Sequence, residues 1–195
     1  MLARSGLELL QNKEALFQYV VKNSKFYQNL DNLFQKAEKI GSGYTVLHLA
    51  ARAGDIDMVK FLVDKCGKDI ITLSTERGTV PLHFALMSEG GNKVAKYLLD
   101  NGAGVNTLEG KFMNTPLMIA SRFGYLSSVR LLLSKKAEIN KITINGETAL
   151  FYASRMGHYD VCKLLLQNDA NYHTLGYYNA IYKAGDKTKG QPISP

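Results

Sequence analysis

Gly43-Tyr44-Thr45-Val46-Leu47-His48-Leu49-Ala50-Ala51 has three downstream counterparts: Gly78-Thr79-Val80-Pro81-Leu82-His83-Phe84-Ala85, Asn114-Thr115-Pro116-Leu117-Met118-Ile119-Ala120 and Gly146-Glu147-Thr148-Ala149-Leu150-Phe151-Tyr152-Ala153. His48, His83, Met118 and Phe151 mark one slot at intervals of 35, 35 and 33 residues. A glycine-bearing turn follows each copy, at Gly54, Gly90-Gly91, Gly124 and Gly157, and then a second apolar block, such as residues 59–63 and 129–133. Each unit therefore reads as two short helices joined by a turn. Ala50, Ala51, Ala85, Ala120 and Ala153 keep the first helix slim enough for close approach. The bulky stripe on the second helix needs a neighbour to exclude water, so the units must stack. Thr45, Thr115 and Thr148 stand where a first helix begins, and a threonine cap there contributes about 1 kcal/mol. Pro81 and Pro116 occupy the next position, where no backbone N–H is needed. The expectation is an all-α repeat solenoid of stacked helix-turn-helix units.

These four registered copies resemble the ankyrin-repeat family in both period and Thr-Pro-Leu-His signature. The resemblance covers residues 41–175 and implies short β-hairpin-like fingers between the stacked units. It implies that His48 and His83 bond neighbouring loop backbone and pin repeat to repeat, a structural role. No Ser, Cys or Asp recurs beside them as a catalytic triad would require. The chain departs from the pattern in places. Val80 replaces the capping threonine of the second repeat, whose Gly90-Gly91 turn carries one extra residue. The hairpin glycine after the second helix is present as Gly102 but becomes Lys136 and Asp169 in the next two repeats. A non-glycine residue is uncommon in a left-handed conformation, so those two hairpins are expected to be less tightly set.

Outside the repeats, residues 1–40 carry two amphipathic helical patterns, read as an N-terminal cap or a decayed repeat. Residues 176–195 read as a degenerate capping helix, Tyr177 to Ala184, followed by a disordered tail rich in Gly, Lys, Pro and Ser. A longer protein would continue there.

The composition is that of a globular protein, with 46% hydrophobic and 21% charged residues. The formal charge of +7 favours acidic partners at long range without naming one. Its Lys and Arg are scattered, which argues against a nucleic-acid footprint. Cys66 and Cys162 form no metal-binding spacing and read as reduced, packed thiols. No apolar run is long enough to span a bilayer, and no signal-peptide pattern opens the chain. The sequence holds no nucleophile-elbow, zinc-protease or phosphate-loop signature, so no enzyme, cofactor or metal is expected. The expected location is cytoplasmic, or a host cytosol if the chain is an effector of an intracellular bacterium.

What remains is a protein-binding module, expected to be monomeric. The resemblance implies that the partner lies against a concave face made by the first helices and the fingers. Four residues after the histidine slot stand Arg52, Met87, Arg122 and Arg155; one further on stand Ala53, Ser88, Phe123 and Met156. The fingers add Tyr44, Arg77, Lys111, Phe112 and Asn145. Arginine, methionine and aromatic residues are the types enriched at interface centres. Helices packed about 8–10 Å apart would space neighbouring arginines by the same distance. An extended segment, rising about 3.3 Å per residue, would match them with acids about three residues apart. The expected ligand is thus an acidic protein segment with apolar anchors. The alternatives are a non-specific binder of nucleic acid or acidic surfaces, and a non-catalytic domain of a larger protein. The resemblance also implies that Asn140, in a hairpin with Leu132, Glu138 and Ile139, fits the pattern of a hydroxylated ankyrin asparagine.

Overall fold

The computed structural model describes residues 43–172. The expectations for residues 1–40 and 176–195 lie outside the described residues. Among the described residues eight α-helices form four pairs: α1 Val46–Ala53 with α2 Ile56–Cys66, α3 Pro81–Ala85 with α4 Asn92–Asp100, α5 Pro116–Phe123 with α6 Leu126–Ser134, and α7 Ala149–Arg155 with α8 Tyr159–Leu166. First helices pack on first helices (α1 on α3, α3 on α5, α5 on α7) and second on second (α2 on α4, α4 on α6, α6 on α8). Each repeat touches its own helices and its neighbours, as a stack requires.

Leu47, Leu82, Leu117 and Leu150 occupy one slot of the first helices and are at most 1% exposed. Burying each side chain contributes about 2 kcal/mol. Helix starts are secured locally. The Thr115 and Thr148 hydroxyls accept from the backbone N–H groups of Met118 and Phe151 at 3.3 and 3.2 Å. In the first two repeats the histidine takes part. His48 Nδ1 accepts from Thr45 N–H at 3.1 Å and His83 Nδ1 from Val80 N–H at 3.1 Å. Their Nε2 atoms then donate to the next repeat, to Thr79 O at 3.2 Å and Thr107 O at 2.9 Å. A ring accepting at one nitrogen and donating from the other is neutral. Burial agrees, lowering the His48 pKa to about 4 and that of His83 below its ordinary value. The pinning role implied by the sequence is the one observed.

The second repeat differs in shape. Helix α3 is only five residues long, and a 3₁₀ turn at Glu89–Gly91 absorbs the extra residue before α4. Gly91 is required there, because a Cβ would lie 1.8 Å from Ala85 O. The expectation of looser hairpins at Lys136 and Asp169 is corrected by the structure. Both residues adopt the left-handed conformation, with φ of 63° and 64°. The bond that closes each hairpin, Ala137 N–H to Leu132 O at 3.0 Å and Ala170 N–H to Leu165 O at 3.1 Å, matches the 2.9 Å bond from Ala103 to Leu98 beside Gly102. Stacking overrides the local preference.

Adjacent fingers are tied by Gly110 N–H to Arg77 O at 2.9 Å and Ile144 N–H to Phe112 O at 3.2 Å. Cys66 is buried, with its thiol pKa pushed up to about 11 by burial, and Cys162 is half-buried. Among the described residues no group of acidic, His or Cys side chains is placed to hold a metal, and no helix is long and apolar enough to cross a membrane.

Candidate functional site

The face made by first helices and fingers divides into two unlike halves. In the first two repeats it is largely filled by its own side chains. Tyr44, on the first finger, packs its ring 5.3 Å from Phe84 and 6.1 Å from His48. Met87 follows the short α3 and lies half-buried against the core. Arg52 and Arg77 are exposed. Arg77 also serves the fold, its carbonyl accepting from Gly110.

The last two repeats present more. Arg122 and Arg155 are exposed at the ends of α5 and α7, with Phe123 (43% exposed) and Met156 (53%) beside them. The Phe123 ring stacks on Tyr125 at 5.8 Å, nearly parallel. His158, the residue before α8, donates from Nε2 to Arg122 O at 3.0 Å and so fixes the end of α5 that carries the arginine. Gly124 makes room for this imidazole; it has φ 73°, and a Cβ would sit 2.5 Å from His158 Nδ1. On the fingers Phe112 is 40% exposed, under the Lys111 ammonium at 4.9 Å. Exposed Ile142 and Ile144 flank buried Thr143 on the next finger, as side chains alternate along an extended strand. Asn145 is exposed at that finger's tip.

Where α7 begins lies a polar cluster that sequence reasoning missed. The Tyr152 hydroxyl donates to Glu147 Oε2 at 2.7 Å and lies 3.1 Å from Asn114 Oδ1. Its one proton is held by the shorter, charge-assisted bond. Burial first, then the Glu147 bond and charge, raise the phenol pKa; Arg122 and Arg155 act on it in the opposite direction. A signal was present in the sequence. The slot after the histidine position reads Leu49, Phe84, Ile119 and then Tyr152, a hydroxyl in an otherwise apolar row.

Asn140 is exposed, but both ends of its amide are bonded. Nδ2 donates to Asp169 O at 3.1 Å and Oδ1 accepts from Asn171 N–H at 2.7 Å. One repeat earlier Asn106 Oδ1 likewise accepts from Glu138 N–H at 2.9 Å. These asparagines join hairpin to hairpin.

Paired helices at this period, histidine pins and hydrogen-bonded fingers meet a matching family model, that of ankyrin repeats in three copies, over residues 9–109 and 105–175. The chain belongs to the ankyrin-repeat family. Among similar proteins, a Rickettsia bellii chain named as an ankyrin repeat protein is 30% identical over 182 residues, 88% of this chain and 96% of that one. The yeast protein "Probable 26S proteasome regulatory subunit p28" is 34% identical over 127 residues, 65% of this chain and 55% of that protein. Zebrafish "Neurogenic locus notch homolog protein 1" is 30% identical over 142 residues, 72% of this chain. This ankyrin-repeat chain therefore spans about half the yeast relative and 6% of the Notch homologue. Ankyrin repeats are protein-interaction modules, generally without catalysis.

Proposed function

We propose that this ankyrin-repeat protein holds an acidic, apolar-anchored segment of another protein on the first helices and fingers of its last two repeats. One observation carries the reading. Every large apolar side chain left exposed among the described residues lies at or beyond Leu108. Of these, Phe112, Phe123 and Met156 stand on the first-helix ends and fingers of the repeats that carry Arg122 and Arg155, which is the composition of an interface centre rather than of scattered surface. Phe112, Phe123 and Met156 supply apolar contact, and the arginines supply charge. Arg52, Tyr44, Met87 and Arg77 stand in the other half and contribute less.

Selection of a displayed random-peptide library against the full chain tests this. Recovered sequences should pair acids with leucine, methionine or aromatic residues. They should lose at least about tenfold in affinity, roughly 1.4 kcal/mol, to the Arg122→Glu, Arg155→Glu double variant but not to Arg52→Glu. Binders equally tolerant of both variants would sink the proposal.

A second reading is favoured by one row of residues. Lys60, Lys96, Arg130 and Lys163 stand at one position of all four second helices, each exposed. Such a row could rest on an acidic surface. Binding to random DNA that weakens steeply with salt would support it, and no binding at low salt would remove it. A role in a host cell is the reading that the likeness to the Rickettsia bellii chain favours, and a reporter fusion detecting delivery into host cytosol would test it.

A further inference from the structure

The bonds between fingers follow a count along the chain. Ala103 and Ala137 close the hairpins after α4 and α6, their N–H groups donating to Leu98 O and Leu132 O. Seven residues beyond them stand Gly110 and Ile144, the two residues that donate to the preceding finger. Their acceptors, Arg77 O and Phe112 O, each lie just before a left-handed tip residue, Gly78 and Met113. The fourth finger repeats the acceptor: Asn145 precedes Gly146, left-handed at φ 75°. Among the described residues nothing donates to Asn145 O. Ile142 and Ile144 are exposed on the same finger, where the second finger carries Ser74 and Glu76. Beyond this edge the chain is still in register. Ala170 N–H donates to Leu165 O at 3.1 Å, and Asn171 N–H to Asn140 Oδ1 at 2.7 Å, as Glu138 N–H does to Asn106 Oδ1 one repeat earlier.

Counted from Ala170, the donor position falls on Tyr177. Leu175 takes the place that Ile142 has after Ala137, and Asn179 the place of Gly146. Asparagine is one of the few side-chain-bearing residues that enter the left-handed region readily. The count fails further on, where Lys183 meets the slot of buried Leu150. We propose that residues 173–179 lie as a fifth finger on the edge of the fourth, with no helix pair behind it. Tyr177 N–H donates to Asn145 O, and Leu175 and Tyr177 continue the apolar positions of Ile142 and Ile144. An edge with an unused acceptor invites a strand from any chain. The protein's own segment has the advantage, because Asn171 is already tied down and the loop from it to Tyr177 is as short as that from Glu138 to Ile144. Leucine and tyrosine at alternate positions also suit a half-buried strand. A partner then meets finger side chains rather than a bare backbone edge.

Amide exchange of the whole chain, followed by nuclear magnetic resonance at two protein concentrations, tests this. Tyr177 N–H should exchange at least about tenfold more slowly than in an unstructured peptide, and equally slowly at both concentrations. Tyr177→Pro, which removes the donor, should shift the Asn145 carbonyl resonance. Tyr177→Phe, which keeps the N–H and the ring, should leave that resonance in place. Exchange at the unstructured rate, an Asn145 carbonyl unmoved by Tyr177→Pro, or helical carbon shifts across residues 177–179 overturns the proposal. Protection that grows with protein concentration means that a second copy supplies the strand, and overturns it equally. None of these outcomes bears on Arg122 and Arg155, so the peptide-binding reading stands or falls separately.

Discussion

His48 and His83 spend both ring nitrogens on the stack, so a proton on either ring removes an acceptor that a backbone N–H is using. Above about pH 6.5 both rings are neutral in the folded and the unfolded chain. Below it the unfolded chain takes up protons that the folded one refuses, and stability falls until the folded pKa, about 4 for His48, is reached. The loss attributable to His48 alone is about 3 kcal/mol across that window. Asp100 answers to a lower range. Its bonds to Lys135 at 2.6 Å and Lys96 at 2.7 Å lower its pKa to about 2, so its contribution is present above its ordinary value of 3.8 and is lost as pH falls through about 2. Urea midpoints measured between pH 7 and 4 should decline in the wild type and decline less in a His48→Gln variant; parallel slopes would show that His48 carries no such linkage. At this scale the sequence was legible where a residue type has one structural use, as with the histidines. It was not legible at Tyr152, because nothing in a tyrosine's identity says which carboxylate will hold it.

The helix pairs and their order could be read from period and caps, since both depend on neighbours in the chain. The length of α3 could not. Its five residues follow from where the extra turn residue was absorbed, and that is decided by Gly91 passing against Ala85. Met87, placed by counting on the same face as the arginines, consequently packs half-buried. Gly91→Ala should destabilise the protein by at least about 2 kcal/mol, since its methyl group meets backbone rather than a movable side chain. A thermal midpoint within a degree of wild type would mean that the turn adapts. The hairpins give the opposite expectation. Lys136 and Asp169 sit in left-handed backbone, which costs a side-chain-bearing residue about 1 kcal/mol. Lys136→Gly should therefore raise the unfolding free energy by about 0.5–1 kcal/mol after glycine's greater flexibility in the unfolded chain is offset. Denaturant titration checks it, and a decrease would show that the lysine side chain does more than occupy the turn.

Across the molecule, the halves that hold and the halves that bind need not fail together. In a linear stack, stability is nearly a sum of repeat and interface terms, so a weakened interface frees the repeats on one side without dissolving those on the other. The joint between the second and third repeats is a natural place for such a break. There α5 meets a helix of only five residues, and the His83 bond to Thr107 O bridges the two repeats. Replacing His83 by alanine strands the Val80 N–H as well as the Thr107 carbonyl, each a buried or half-buried group that costs about 1–3 kcal/mol to leave unpaired. The third and fourth repeats keep α5 on α7, the His158 bond to Arg122 and the finger bond from Ile144 to Phe112. Hydrogen exchange of a His83→Ala variant should thus quicken in residues 46–100 well before residues 116–166, and the variant should still bind an acidic peptide recovered from the library with nearly wild-type affinity. Uniformly faster exchange with loss of peptide binding would show that the four repeats unfold as one unit, and that the binding half depends on the half that merely supports it.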